Sequence, residues 1–285
     1  MTEVSALAPA KINLTLHVTG QRSDGYHLLD SLVVFTELGD QITLHEANAL
    51  SLEITGAQAA GLAAEPDNLV LRAARLMGET RAAITLDKRL PVTSGMGGGS
   101  SDAATTLRLL AQKSGTALPD TAQAMTLGAD LPVCLAAPVP SRMQGLGEAV
   151  TPVAHLPPLW MLLVNPGQGL PTPDVFKVLE TKDNPPMPAQ LPIWRDAVDL
   201  CAWLVTQRND LEPPARHLLP VIDQVLNGLV AQPGCLLARM TGSGATCFGI
   251  FTSEAQRDHA AKALARPDWF IGATRSYGSP DTQRG

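Results

Sequence analysis

The sequence predicts an α+β chain in two halves. Three observations carry that expectation. A first segment alternates between apolar and polar residues, and a glycine-rich loop lies between a short strand and an Ala/Leu-rich helix. Strands and helices otherwise mix without a strict strand–helix–strand repeat. A Pro- and Gly-rich stretch over 137–158 reads as a boundary, so residues 1–150 and 151–285 are expected to form separate domains.

In chain order, Ala10, Ile12, Leu14, Leu16 and Val18 point one way and Lys11, Asn13, Thr15 and His17 the other. That is the two-residue period of a strand with one apolar and one wet face. Thr19-Gly20 ends it and Ser23-Asp24-Gly25 reads as a turn. Further strands are expected at 32–35, 41–45 and 50–54. Asp67 is the expected N-cap of a helix carrying Leu69, Val70, Ala73, Leu76 and Met77 on one side. A strand at 83–86 leads to the glycine loop, and Ser101 and Asp102 open a helix that runs to about Gln112. A helix follows at 121–127. After the boundary come a strand at 159–164 and helices at 173–179, 195–206 and 218–229. Strands at 236–240 and 246–251 flank Thr241-Gly242-Ser243-Gly244-Ala245, and a helix at 254–265 precedes a last strand at 269–274. The tail from Ser279 is expected to fray.

Composition narrows the function classes. Of the 285 residues 45% are hydrophobic and 17% charged, which places the chain among soluble globular proteins and excludes wholesale disorder. Lys and Arg number 21 against 27 Asp and Glu, a net charge of −6 with no basic stripe, so a nucleic-acid partner is not expected. The same charge means that a polyanionic substrate must be held by local groups. Cys134, Cys201, Cys235 and Cys247 form no C-x-x-C pair and read as small buried hydrophobes rather than zinc ligands or disulfides. No apolar run reaches the ~18 residues of a membrane span. The first residues lack a targeting pattern, so the cytoplasm is the expected compartment, with no membrane partner.

Pro91-Val92-Thr93-Ser94-Gly95-Met96-Gly97-Gly98-Gly99-Ser100-Ser101-Asp102 is the most informative segment. Its glycines cost backbone entropy but permit positive φ angles and close approach, so several N–H groups can converge on one anion. The helix behind it adds unpaired N–H groups and a positive dipole end. Ser100 and Ser101 offer hydroxyls to a phosphate or to a magnesium ion. A flexible linker is disfavoured by the flanking strand and helix. No lysine follows the glycines as in a Walker loop, and a serine stands where a dinucleotide fingerprint needs its third glycine. The residues alone leave the phosphate compound open. Read bare, Lys11 is a solvated strand residue and Asp130 a cap or turn residue. On the same terms Tyr26 and His27 pack a loop, Phe176 sits in a helix core, and Gly242-Ser243-Gly244 is a hairpin turn.

Three segments taken together are more specific. Pro9-Ala10-Lys11-Ile12-Asn13-Leu14, the glycine loop, and Met240-Thr241-Gly242-Ser243-Gly244-Ala245 resemble, in order and spacing, the three motifs of the GHMP kinase superfamily. Gly20-Gln21-Arg22-Ser23-Asp24-Gly25-Tyr26-His27, Leu127-Gly128-Ala129-Asp130-Leu131-Pro132, Pro171-Thr172-Pro173 and Asn209-Asp210-Leu211-Glu212 are similar to one branch of it. That branch phosphorylates a cytidine diphosphate-linked methylerythritol on the route to isoprenoids. The resemblance covers the chain from about residue 6 to 275. It implies a two-domain α+β fold, with an N-terminal half like the second domain of ribosomal protein S5 and the active site between the halves. It also implies ATP with Mg2+ and a small-molecule alcohol as the other substrate, in a monomer or weak homodimer. By resemblance Asp130 is the base, Lys11 stands beside it, and Pro91 through Ser101 hold ATP. Asn13 orients substrate hydroxyls, Tyr26 stacks on the cytosine, His27 hydrogen-bonds it, and Phe176 supplies the other stacking face. Gly242 and Ser243 pack against phosphate or substrate. Val92-Thr93-Ser94 departs from the glycine-richer start of the family's loop, and Met96 stands where leucine is common.

Overall fold

The computed structural model describes residues 3–62 and 64–280. Its first sheet is organised around one long strand, β3 (His27–Glu46), which pairs antiparallel with β1 (Val4–Asn13), β2 (His17–Gln21), β5 (Ala82–Asp87) and β6 (Ser141–Gly145). β4 (Ser51–Thr55) adds to β5 in parallel, and β7 (Ala149–Pro152) closes the other edge against β6. The segments expected at 32–35 and 41–45 are thus one strand. Gly39 permits this, because a Cβ there would stand 2.1 Å from the Ala8 carbonyl oxygen, next to the bulge between Pro9 and Lys11. The second sheet, in the order β11-β8-β10-β9, is antiparallel throughout: β8 (Trp160–Asn165), β9 (Cys235–Met240), β10 (Cys247–Phe251) and β11 (Phe270–Arg275). The α+β reading holds.

Several expected boundaries move for physical reasons. The strand expected across 10–18 breaks after Asn13, where Leu14 N–H donates to Leu32 O and Leu16 pairs with Asn209. Its polar face is not wet, since Lys11, Asn13, Thr15 and His17 are all buried. The glycine loop and the second half of the chain cover it. Asn68, not Asp67, caps α1 (Leu69–Leu76), its side chain accepting from Val70 N–H. Helix α2 (Gly98–Ser114) begins inside the glycine run rather than at Ser101, with Gly97 as a left-handed N-cap at φ 62°. A capping box at Asp120 starts α3 (Thr121–Met125). The 137–158 stretch is not an irregular linker but holds β6 and β7.

Two helices escape the sequence pattern, α4 (Leu131–Leu135) and, in the second half, α7 (Glu212–Leu218). Each carries proline in its first turn, where the missing N–H has no intrahelical partner to lose, so prolines that read as breakers are starters. The second sheet is flanked by α5 (Thr172–Lys177), α6 (Ala197–Leu204), α8 (Val221–Val230) and α9 (Glu254–Ala263). Ser279 does not fray: it is buried, with N–H and hydroxyl bonds to Leu156 O and Val153 O.

One apolar cluster joins the sheets, running from Ala10, Ile12 and Leu14 to Met161, Trp194 and Leu200. Each fully buried aliphatic side chain in it contributes about 1.5–3 kcal/mol of burial free energy. Two buried arginines sew the same seam. Arg142 pairs with Asp30 at 2.6 Å and donates to the carbonyls of Met187, Pro188 and Ala189; Arg239 donates to Leu14, Leu204 and Gln207. All four cysteines are free, and burial pushes the Cys134 and Cys201 thiols up to about 12, so they are packing residues as expected. Among the described residues no helix is long and apolar enough to cross a membrane.

Candidate active site

A cleft of ≈ 690 Å³ lies where the two sheets meet. β1 brings Lys11 and Asn13 to it, the glycine loop and the first turn of α2 form one wall, and Asp130, Phe176 and Ser243 close the rest.

Lys11 Nζ stands 2.7 Å from Asp130 Oδ2, the lysine almost wholly buried and the carboxylate one-third exposed toward the cleft. Backbone geometry sets this pair. The Lys11 N–H donates to Met96 O at 2.9 Å, and its side chain runs along Gly97, where a Cβ would approach Cε to 3.1 Å. Asp130 occupies the N-cap position of α4 yet makes no capping hydrogen bond, because its carboxylate is turned to Lys11. Gly147, between β6 and β7, supports that turn: a Cβ there would lie 2.1 Å from Ala129 O. A carboxylate so placed, with an ammonium beside it, can accept a proton from a hydroxyl in the cleft.

The loop residues Pro91 to Gly95 and Gly97 to Ser100 face the cleft; Met96 and Ser101 do not. Met96 is fully buried in the apolar cluster, and the Ser101 hydroxyl is committed to Pro9 O at 2.7 Å. Of the two serines, Ser100 alone offers its hydroxyl to a ligand. The second glycine turn is pressed against the first. A Cβ on Gly95 would stand 2.5 Å from Thr241 O, and one on Gly242 2.5 Å from Gly95 O, both glycines having positive φ. Thr246 N–H donates to Ser94 O at 3.2 Å across the same contact. Gly242 thus serves close backbone packing as well as the cleft wall.

Asn13 is fully buried and its amide donates to Ser31 Oγ at 2.7 Å, while its N–H donates to Thr241 Oγ1 at 2.9 Å. Its Oδ1 is buried with no hydrogen-bond partner among the described residues, and Asn13 is one of the residues lining the cleft. Asn209 holds the second glycine turn from behind, donating to Met240 O and Gly242 O. Thr172 and Ser243 share a 2.7 Å hydroxyl contact that ties α5 to the same turn.

The aromatic residues differ from expectation. His27 stacks directly on Phe176, centroids 4.5 Å apart and rings 19° from parallel, and Tyr26 is 65% exposed on the surface. Phe176 reaches the cleft, but Tyr26 and His27 stand outside its lining. His27 Nε2 is buried with no partner among the described residues, and burial, with the nearby Lys182 charge, lowers the imidazole's pKa.

Sequence reasoning missed a buried charged cluster behind the loop. Lys88 Nζ donates to both Asp40 Oδ2 and Asp102 Oδ2, the latter at 2.9 Å. Burial opposes the Lys88 charge, but the carboxylates Asp102 and Asp40 outweigh it and raise its pKa. Burial drives the Asp102 carboxyl up to about 8 against the pull of Lys88, with Asp40 adding to the rise. The available signal was a charged residue each side of an apolar-flanked loop, which composition alone does not distinguish from surface charge.

Comparison with known proteins bears on this geometry. The GHMP kinase N-terminal domain model matches residues 68–138 and the C-terminal model residues 194–267. The 4-diphosphocytidyl-2-C-methyl-D-erythritol kinase of Dinoroseobacter shibae is 58% identical over 95% of this chain and 94% of its own. That of Cereibacter sphaeroides is 57% identical over 98% of this chain and 100% of its own. A crystal structure of 4-(cytidine 5'-diphospho)-2C-methyl-D-erythritol kinase superposes with a TM-score of 0.76 at 31% identity, covering 96% of this chain and 100% of that one. Mevalonate kinase from Methanococcus jannaschii shares the fold at a TM-score of 0.62 and 14% identity. With relatives this similar over almost its whole length, the chain belongs to the 4-diphosphocytidyl-2-C-methyl-D-erythritol kinase family of the GHMP kinases.

Proposed function

We propose that this chain transfers the γ-phosphoryl group of ATP to the C2 hydroxyl of 4-diphosphocytidyl-2-C-methyl-D-erythritol, yielding the 2-phosphate and ADP. The observation that carries this reading is the 2.7 Å Lys11–Asp130 pair at the mouth of a glycine-lined phosphate cradle. Phosphoryl transfer asks a protein mainly to position two reactants and to neutralise charge. The first-turn N–H groups of α2 and the Ser100 hydroxyl meet the phosphates. Asp130 takes the proton of the C2 hydroxyl, Lys11 stabilises the developing alkoxide, and Asn13 orients a neighbouring substrate hydroxyl.

The cytosine lies toward Phe176, with Tyr26 closing over it and His27 hydrogen-bonding it once the His27–Phe176 stack opens. Residues 1–150 form the domain that carries the ATP loop, and residues 151–285 the domain that carries Phe176 and Ser243. Among the described residues no group of three His, Cys, Asp or Glu stands ready to hold a metal ion. The donors present fit a Mg2+ that arrives on the nucleotide: Ser100, which lines the cleft, would hold it, and the ion would supply neutralisation of phosphate charge. The enzyme works in the cytoplasm as a monomer or weak homodimer, without a nucleic-acid or membrane partner. A coupled ADP-release assay with 4-diphosphocytidyl-2-C-methylerythritol, homoserine and mevalonate tests the assignment. Turnover of the cytidine-bearing alcohol alone is expected; turnover of another alcohol in its place contradicts it.

A further inference from the structure

The cluster behind the glycine loop joins three segments of chain. Asp40, on β3, is fully buried and accepts from Arg89 N–H at 2.6 Å and Leu90 N–H at 2.8 Å through Oδ1. Its Oδ2 accepts from Lys88 Nζ, and the same ammonium donates to Asp102 Oδ2. The Lys88 backbone is fixed as well: its N–H donates to Thr55 O at 2.7 Å, and its carbonyl accepts from Gln58 N–H at 2.9 Å. One ammonium therefore links the arm that enters the loop to the helix that leaves it. The cluster lies directly under the cradle, since a Cβ on Gly98 would stand 3.2 Å from Lys88 Nζ. Asp102, 2% exposed, borders the cleft, and its Oδ1 has no partner among the described residues.

We propose that Asp102 is a positioning residue for ATP, acting through Lys88 and Asp40 to lock both arms of the glycine loop at a fixed separation. The inference rests on the reading of this loop as the ATP site. A loop with four glycines in five positions has many conformations to lose when it closes on a phosphate chain. A clamp set during folding takes that loss out of the binding step. It also fixes the direction in which the first-turn N–H groups of α2 point.

Calorimetric titration with ATP, together with KM for both substrates, tests this in Asp102→Ala and Asp102→Asn. The alanine variant is expected to raise Kd and KM for ATP about tenfold or more, with KM for the alcohol unchanged. The asparagine variant keeps an oxygen for Lys88 and recovers most of the affinity. A parallel rise in both KM values, or a lower Tm with an unchanged Kd for ATP, overturns the proposal. If the alanine variant does not fold, Lys88→Met is read in the same way. A wild-type protein that fails to bind ATP sinks the loop assignment itself, so the two failures are distinguishable.

Discussion

The two ends of the cleft are built from different materials. At the phosphate end the wall is mostly backbone: two glycine turns lie in contact, Gly95 against Thr241 and Gly242 against Gly95, with Lys88, Asp40 and Asp102 fastening the loop from beneath. The proposed acceptor end is made of side chains instead: Phe176 lines the cleft, and Tyr26 and His27 stand outside that lining. Tyr26 is largely exposed, and His27 rests on Phe176. A backbone wall leaves no space for added atoms and sets geometry for every ligand. A side-chain wall can be altered at one position without disturbing the fold, so its substitutions are expected to act on one substrate only. Lys11 and Asp130 stand at the junction, anchored in the rigid end and facing the adaptable one.

This contrast can be broken or sharpened by substitution. The largest effect is expected at the junction. Lys11→Met removes the ammonium beside Asp130 and is predicted to lower kcat by about 10²–10³-fold while changing KM for ATP little, as steady-state kinetics would record. At the rigid end, Gly242→Ala places a Cβ 2.5 Å from Gly95 O at a positive φ. It is predicted to cost about 1–3 kcal/mol of stability in denaturant melts and to raise KM for ATP. At the adaptable end, Tyr26→Ala is predicted to leave Tm unchanged, because the ring is exposed, and to raise KM for the alcohol by about tenfold with KM for ATP unaltered. Equal movement of both KM values would erase the distinction between the ends.

The smallest effect concerns pH. Burial first, and then Lys182, lower the His27 pKa from 6.5, so the imidazole is neutral at pH 7 and presents one donor and one acceptor. As pH falls through the lowered pKa both nitrogens become donors. KM for the alcohol is predicted to rise on acidification below 6.5 in wild type, and to lose that rise in His27→Gln.

Legibility in the sequence followed the same contrast. The glycine loop, the first strand and the second glycine turn announced themselves because close backbone approach needs glycine and buried strands need alternation. Lys11 and Asp130 read bare as a wet strand residue and a cap. Only the family resemblance paired them, because residues 119 positions apart meet through tertiary packing that no local pattern encodes. The polar face of β1 looked solvated for the same reason: what covers it arrives from the loop at Gly97 and the turn at Thr241. Helices α4 and α7 were hidden by first-turn prolines. The Lys88 cluster was hidden because Asp40, Lys88 and Asp102 come from three separated segments. The stack of His27, at the start of β3, on Phe176 of α5 is a side-chain arrangement that spacing does not specify.

The central claim is that Asp130, held by Lys11, takes the proton from the alcohol while the glycine wall holds ATP independently of it. Single-turnover phosphoryl transfer in Asp130→Ala, with Kd for ATP measured on the same preparation, tests this most directly. The account predicts a rate lowered by about 10²–10⁴-fold with Kd essentially unchanged; an unchanged rate would contradict it.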